Sequence, residues 1–287
     1  MLKMHLSSIK VKSSQAFNKY ISRKKVHKAI FYTGAKKNIG DSMVPWLINS
    51  ISGSDFQYSN PLEASGSHLF SVGSILQYAN KDCFVWGSGF ISCNSKYKSL
   101  PKSISAVRGP LTACRVEQLS GNKPSIFGDP ALITPNLIDG SIIENLAAKK
   151  ENAKIGLIPH YVDKIQLEQT KIYHENSVKV IDVETDDIYD FVAELHTVDI
   201  VVSSSLHGII LAESFGIPAV WAKFSNRVYG NDFKFHDYYL STGRPMITHQ
   251  SYLDITSSTL KPNQRISDSL LTSITDSLIE VYPGEFK

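Results

Sequence analysis

Short apolar runs rich in β-branched residues recur along this chain, and each passes into a polar or glycine-containing turn and then into a helical pattern. Ala29-Ile30-Phe31-Tyr32 comes first, followed by the loop Gly34 to Asp41 and a helix over Ser42 to Ile48, with Asp41 or Ser42 as cap and Pro45 in its first turn. Cys83-Phe84-Val85-Trp86 runs into Gly87-Ser88-Gly89, and Ile104-Ser105-Ala106-Val107 into Arg108-Gly109-Pro110 and a helix over Leu111 to Leu119. Ser125-Ile126-Phe127 exits through Gly128-Asp129-Pro130-Ala131. A polar helical stretch near Ile142 to Asn152 bridges to a second series: Lys154-Ile155-Gly156-Leu157-Ile158, Val178-Lys179-Val180-Ile181, a helix over Asp187 to His196, and Asp199-Ile200-Val201-Val202. Alternation of this kind predicts an α/β fold built on parallel sheet. With 287 residues there is room for two Rossmann-like domains facing a cleft, over residues 29–145 and 146–264. Residues 1–28 form a leader, and a helical stretch within 265–287 packs back on the first domain.

The most informative turn follows Val202. Ser203-Ser204-Ser205-Leu206-His207-Gly208 opens a helix that Gly216 and Pro218 stop before Ala219-Val220-Trp221. His207 thus falls in the first turn of a helix at the carboxyl end of a parallel strand. Open α/β sheets place ligands there, because free N–H groups and the helix dipole favour an anion. An imidazole in that place can donate a hydrogen bond or act as general acid, or it can simply pack at the cap.

Arg108 occupies a similar strand end, where a guanidinium grips phosphate or carboxylate by a bidentate fork or forms an ordinary ion pair. Asn38-Ile39-Gly40-Asp41 brings a carboxylate to the cleft, where it orients or deprotonates a hydroxyl or serves equally as an N-cap. Gly87-Ser88-Gly89 permits close backbone approach to a ligand, although a GxG without its third glycine is a weak signal. His160 and Lys223 lie at two further strand exits.

Composition narrows the setting. Hydrophobic residues make up 42% and charged residues 20%, which suits a soluble domain with a real core. No apolar run approaches the ~18 residues of a membrane span, and no secretory h-region opens the chain. Three cysteines without CxxC spacing suggest a reducing, cytoplasmic setting, with Cys83 as a buried small hydrophobe. The net charge of +3 conceals ten Lys and Arg and no acidic residue in the first forty positions. Such a leader suits anionic headgroups at the inner face of a membrane or an anionic acceptor, and is equally a solvated extension. It carries no nucleic-acid reading motif, and the absence of HExxH, Cys/His spacing, Walker A and G-x-S-x-G signals argues against metal and other common chemistries.

Taken in order, Asn38-Ile39-Gly40-Asp41, Val85-Trp86-Gly87-Ser88-Gly89, Ser105 to Thr112, Gly128-Asp129-Pro130-Ala131 and Ser204 to Pro218 resemble the polysaccharide pyruvyl transferase family, in its exopolysaccharide ketal-forming branch. The resemblance implies a glycosyltransferase-B-like fold, no cofactor, and transfer of a pyruvyl group from phosphoenolpyruvate to two hydroxyls of a sugar. The glycan acceptor is either free or lipid-linked. It places donor binding at Arg108, Ser205, Leu206, His207, Gly208 and Lys223, and acceptor binding at Asn38, Gly40, Asp41, Gly87, Ser88, Gly89 and His160. His207 is the expected acid and Asp41 its catalytic companion. Many members have Arg where this chain has Ser205, so either another cation such as Lys223, Arg227 or Lys234 supplies the missing charge, or the donor differs. The rival readings are a metal-independent sugar-nucleotide glycosyltransferase of the same fold, a dinucleotide oxidoreductase and a non-catalytic glycan-binding module.

Overall fold

In the computed structural model, the residues described are 29–31, 37–54, 56–60, 62, 66–251 and 255–287. The basic leader and most of the loop after the first strand lie outside them.

Among the described residues ten strands form two parallel sheets. The first has the order β2-β1-β3-β4-β5, from β1 (Ala29–Phe31), β2 (Gln57–Tyr58), β3 (His68–Phe70), β4 (Cys83–Trp86) and β5 (Ser103–Ala106). The second has the order β10-β9-β8-β6-β7, from β6 (Ala153–Ile158), β7 (Val178–Val180), β8 (Val198–Ser203), β9 (Ala219–Lys223) and β10 (Gln250–Ser251). The interior strands β4 and, over Ile200 to Val202, β8 are apolar because both sheet faces are covered. Every neighbouring pair is parallel, as the alternation of strand and helix requires.

The helices of the first half are α1 (Ile39–Ser42), α2 (Val44–Ser52), α3 (Pro110–Ser120), α4 (Thr134–Leu137) and α5 (Gly140–Ala147). Those of the second are α6 (Lys164–Leu167), α7 (Ile188–Leu195), α8 (Leu206–Ser214), α9 (Phe233–Ser241) and α10 (Asp268–Glu280). None of the described helices is long and apolar enough to cross a membrane.

Two details depart from the sequence expectation. The segment 125–127 is no strand; only Phe127 bridges Val107, because Pro124 and the turn at Gly128 leave too little chain to pair. The loop after β1 ends earlier than expected, since Ile39 already begins α1 and its backbone N–H donates to Val183 O at 2.8 Å, across to the second half.

The halves share one apolar core, in which Ile30, Ile39 and Trp86 belong to the same cluster as Ile158, Ile209 and Trp221. Helix α10 crosses back: the Trp86 indole donates to Leu278 O at 2.8 Å, and Gly128 leaves room for Ile274 and Leu278. These contacts hold the carboxyl ends of β1, β6 and β8 around a common space.

Candidate active site

The serines after β8 do not cap α8. Ser203 Oγ donates to Ile158 O at 2.8 Å and to Ser205 O at 2.9 Å, and accepts the Ser205 N–H at 2.9 Å, while Ser204 Oγ accepts the His160 N–H at 2.9 Å. They tie the turn to β6 instead. Ser205 takes the N-cap position without a side-chain cap bond. The first-turn N–H groups of α8 therefore remain for another acceptor. Gly208 has a packing role and is not among the residues lining the space in front: a Cβ there would meet Ile158 Cγ2 and Ser203 Oγ at 2.7 Å.

His207 stands between two groups from the first half. Its Nε2 lies 3.7 Å from Asp129 Oδ2, too long for a hydrogen bond, and both atoms are buried without another partner. Asp129 is fully buried, and its Oδ1 accepts the Ala131 N–H at 3.0 Å, capping the short 3-10 turn Pro130–Ile133. On the ring's other side lies Gly40, where a Cβ would come within 1.8 Å of Nδ1. Gly40 is thus the seat of the imidazole, and the buried Asp129 carboxylate faces its far nitrogen without bonding it. Asp129 was quoted in the sequence motif but given no role, since an Asp before Pro at a strand exit signals a turn and nothing more.

In front of α8 opens a cavity of about 530 Å³. Asn38, Asp41, His160, Ser205, Leu206 and His207 line it together, with Ser74, Gln77, Tyr78, Tyr161, Tyr229 and Lys234. Asn38 Nδ2 is 3.5 Å from Asp41 Oδ2, so these two form one polar corner. His160 Nδ1 accepts the Val162 N–H at 3.4 Å, which leaves the proton on Nε2. Burial pushes the His160 pKa down to about 3, helped by electrostatic effects of Lys234 and His207. The ring is a neutral donor at physiological pH.

Lys234, on the first turn of α9, is nine-tenths buried. Its ammonium lies 5.4 Å from the Phe235 ring centroid and makes no hydrogen bond or ion pair among the described residues. Burial, seconded by the Arg108 cation, lowers its pKa to about 8, while Asp41, Asp163 and Asp232 act in the opposite direction from beyond ion-pair range. A buried cation without a bonded carboxylate is costly unless a ligand supplies the anion.

Several residues expected at the site are elsewhere. Arg108 has no exposed surface; Nε donates to Asp237 Oδ2 at 3.1 Å, Nη1 to Ser74 Oγ at 2.6 Å and Nη2 to Phe90 O at 2.8 Å. Its fork is closed by protein groups because α9 packs over the strand end. The glycines of Gly87-Ser88-Gly89 serve packing, not ligand approach: a Cβ on Gly87 would meet Pro130 at 2.3 Å, and one on Gly89 would meet Arg108 Cζ at 2.4 Å. Ser88 is buried and donates to Ser71 O at 2.7 Å. Lys223 Nζ sits 3.3 Å from both Asp232 oxygens, away from the cavity. Arg227 is exposed and does not line the cavity either. Among the described residues no three His, Cys, Asp or Glu side chains gather as a metal-ligand set.

Comparison with known proteins agrees with the motifs. An uncharacterized protein of Acanthamoeba polyphaga mimivirus is 32% identical over 204 residues, covering 68% of this chain and 67% of its own. The succinoglycan biosynthesis protein ExoV of Rhizobium meliloti is 27% identical over 224 residues, covering 75% of this chain and 65% of its own. The family profile described as polysaccharide pyruvyl transferase matches residues 7–223, a span that takes in α1, the Asp129 turn and the first turn of α8. The chain belongs to the polysaccharide pyruvyl transferase family.

Proposed function

We propose that this chain transfers a pyruvyl group from phosphoenolpyruvate to two hydroxyls of one sugar in a glycan, releasing phosphate and leaving a cyclic ketal. The two sheets are read as Rossmann-like domains of a glycosyltransferase-B-like enzyme, with donor and acceptor meeting in the 530 Å³ cavity between their carboxyl ends. That volume lies in the ordinary range for a small-molecule site, about 300–1,000 Å³. The observation that carries the reading is Lys234: a nine-tenths buried cation without a bonded carboxylate, facing the same cavity as an uncapped helix N-terminus and a histidine.

Lys234 and the first-turn N–H groups of α8 bind the phosphate and carboxylate of the donor. His207 acts as the general acid, giving a proton to the methylene carbon and making it a methyl group. The cation developing at the central carbon is captured by one sugar hydroxyl, whose proton passes to Asp41 or to the now neutral imidazole. The phosphate C–O bond then breaks, phosphate leaves with a proton, and the second hydroxyl adds to the same carbon and loses its own. Asn38 and His160 donate hydrogen bonds that orient the acceptor, and the Asp129 carboxylate faces the imidazole from behind.

The test is calorimetric titration of the full chain with phosphoenolpyruvate beside nucleotide sugars and free nucleotides. Binding of phosphoenolpyruvate alone, weakened in Lys234→Met, is the expected result. Heat only with a nucleotide sugar would move the assignment to glycosyl transfer.

A further inference from the structure

The resemblance makes Arg108 a donor-binding residue, whereas its surroundings give it different work. We infer that Arg108 is a positioning residue: with Asp237 it pins α9 to the turn after β5, and so fixes where the Lys234 ammonium stands in the cavity. Only the identity of the anion rests on the proposed function.

Asp237 and Lys234 are three residues apart on α9 and share a face. Asp237 is fully buried and both its oxygens are used: Oδ1 accepts the Thr112 N–H at 2.9 Å, while Oδ2 accepts Thr112 Oγ1 at 2.6 Å and Arg108 Nε at 3.1 Å. Helix α9 thereby caps the N-terminus of α3 from outside, where Gly109 offers no side chain. Gly109 also makes room for it, since a Cβ there would lie 2.0 Å from Asp237 O.

Arg108 is gripped from the other side as well. Gly89 lets the guanidinium lie against the backbone, Phe90 O and Ser74 Oγ accept its remaining bonds, and Ser74 itself lines the cavity. No part of this cation faces a ligand. Turning the guanidinium from Asp237 to a donor phosphate would unseat α9 and Lys234 with it. The charged groups acting on Lys234 are Arg108 from the β5 turn, Asp41 from α1, Asp163 from the loop before α6 and Asp232 from the turn before α9, while the His160 ring is neutral. Arg108 is the one that disfavours its protonated form.

The experiment is acetylation of the full chain by acetic anhydride at about pH 10, where the Lys234 amine, with its pKa lowered to about 8, is neutral. The Lys234 rate is read by mass spectrometry in wild type, Asp237→Asn and Arg108→Met. Lys150 and Lys179, partly buried in ion pairs with Glu194, serve as internal controls. Phosphoenolpyruvate titrations accompany each variant. Both substitutions are expected to raise Lys234 acetylation several-fold with Lys150 and Lys179 unchanged, and each to weaken phosphoenolpyruvate about tenfold or more. In Arg108→Met the pH at which affinity falls also moves above the wild-type value of about 8. If acetylation of Lys234 is unchanged in both variants, and phosphoenolpyruvate binding is lost in Arg108→Met but kept in Asp237→Asn, the guanidinium touches the donor and the inference is overturned. A general rise at all three lysines likewise overturns it in favour of global loosening. Should Arg108→Met not fold, the isosteric Asp237→Asn decides alone. If wild type binds no phosphoenolpyruvate while Lys234 still responds selectively, the positioning role stands and the donor assignment falls.

Discussion

The turn from β5 into α3 and the turn from β8 into α8 are built alike, yet one is closed and the other open. Each ends a parallel strand, each starts a helix whose first N–H groups need acceptors, and each carries a basic side chain at the junction, Arg108 or His207. At the first, Asp237 arrives from α9, accepts the Thr112 N–H and neutralises Arg108. At the second, the serines turn back toward β6, and the helix start faces a cavity that also holds Lys234. A helix N-terminus at a strand end is therefore an anion site only where no carboxylate of the protein has taken the place already.

The largest effects should separate the two turns by the kind of damage done. Arg108→Met strands the Asp237 carboxylate in the core and should lower unfolding free energy by about 3–5 kcal/mol in urea titrations. His207→Ala should cost less stability than Arg108→Met but cut acceptor-dependent phosphate release by about a hundredfold or more, with phosphoenolpyruvate binding retained. Equal losses of stability at the two positions would erase the distinction between closed and open.

Gly40→Ala probes the open turn from the opposite wall. Its methyl group would fall 1.8 Å from His207 Nδ1, so the imidazole must leave its place between Gly40 and Asp129. A displacement of about 1 Å is enough for roughly a hundredfold loss of turnover. Phosphoenolpyruvate affinity, set by Lys234 and α8, should change far less, and parallel losses of both would show that Gly40 serves binding instead.

Much of this was legible in the sequence because the strands announce themselves. Runs such as Val198 to Ser203 and Cys83 to Trp86 are apolar on both faces, and the turns after them carry glycine, proline or serine. That placed Asn38, Asp41, His160, Ser205 and His207 at strand exits, and the fold brings them to one cavity. The sequence could not show what packs over each exit. Arg108 looked like a free fork because Asp237 lies 129 positions away. Lys234 offered no signal beyond its charge, since Phe233-Lys234-Phe235-His236 reads as an ordinary amphipathic helix start and the charges acting on it come from distant segments, α1 and the β5 turn among them.

A smaller effect follows from that burial. With the Lys234 pKa near 8, the ammonium that holds the anion is lost as pH rises through that value, so phosphoenolpyruvate affinity should decline across it. Lys234→Met should be about 10- to 100-fold weaker below pH 8 and show no such decline. A wild-type decline that persists in Lys234→Met would assign the titration to another group of the open turn.

The smallest effect is on stability in acid, where the open turn adds to His68, His196 and His236 elsewhere in the chain, whose pKa values burial also lowers. His160 is tied by its backbone to Ser204 and titrates near 3 in the folded chain, against about 6.5 when unfolded. Between those values the unfolded state takes up a proton that the native state refuses. The contribution is thus complete above pH 6.5 and is lost as pH falls toward 3, amounting to about 2 kcal/mol by pH 5. His160→Gln, which cannot titrate, should flatten the slope of unfolding free energy between pH 6.5 and pH 5 in urea titrations. If the His160→Gln slope matches wild type, the acid sensitivity arises outside the cavity, and the open turn holds its histidine without the desolvation that sets it apart from the closed one.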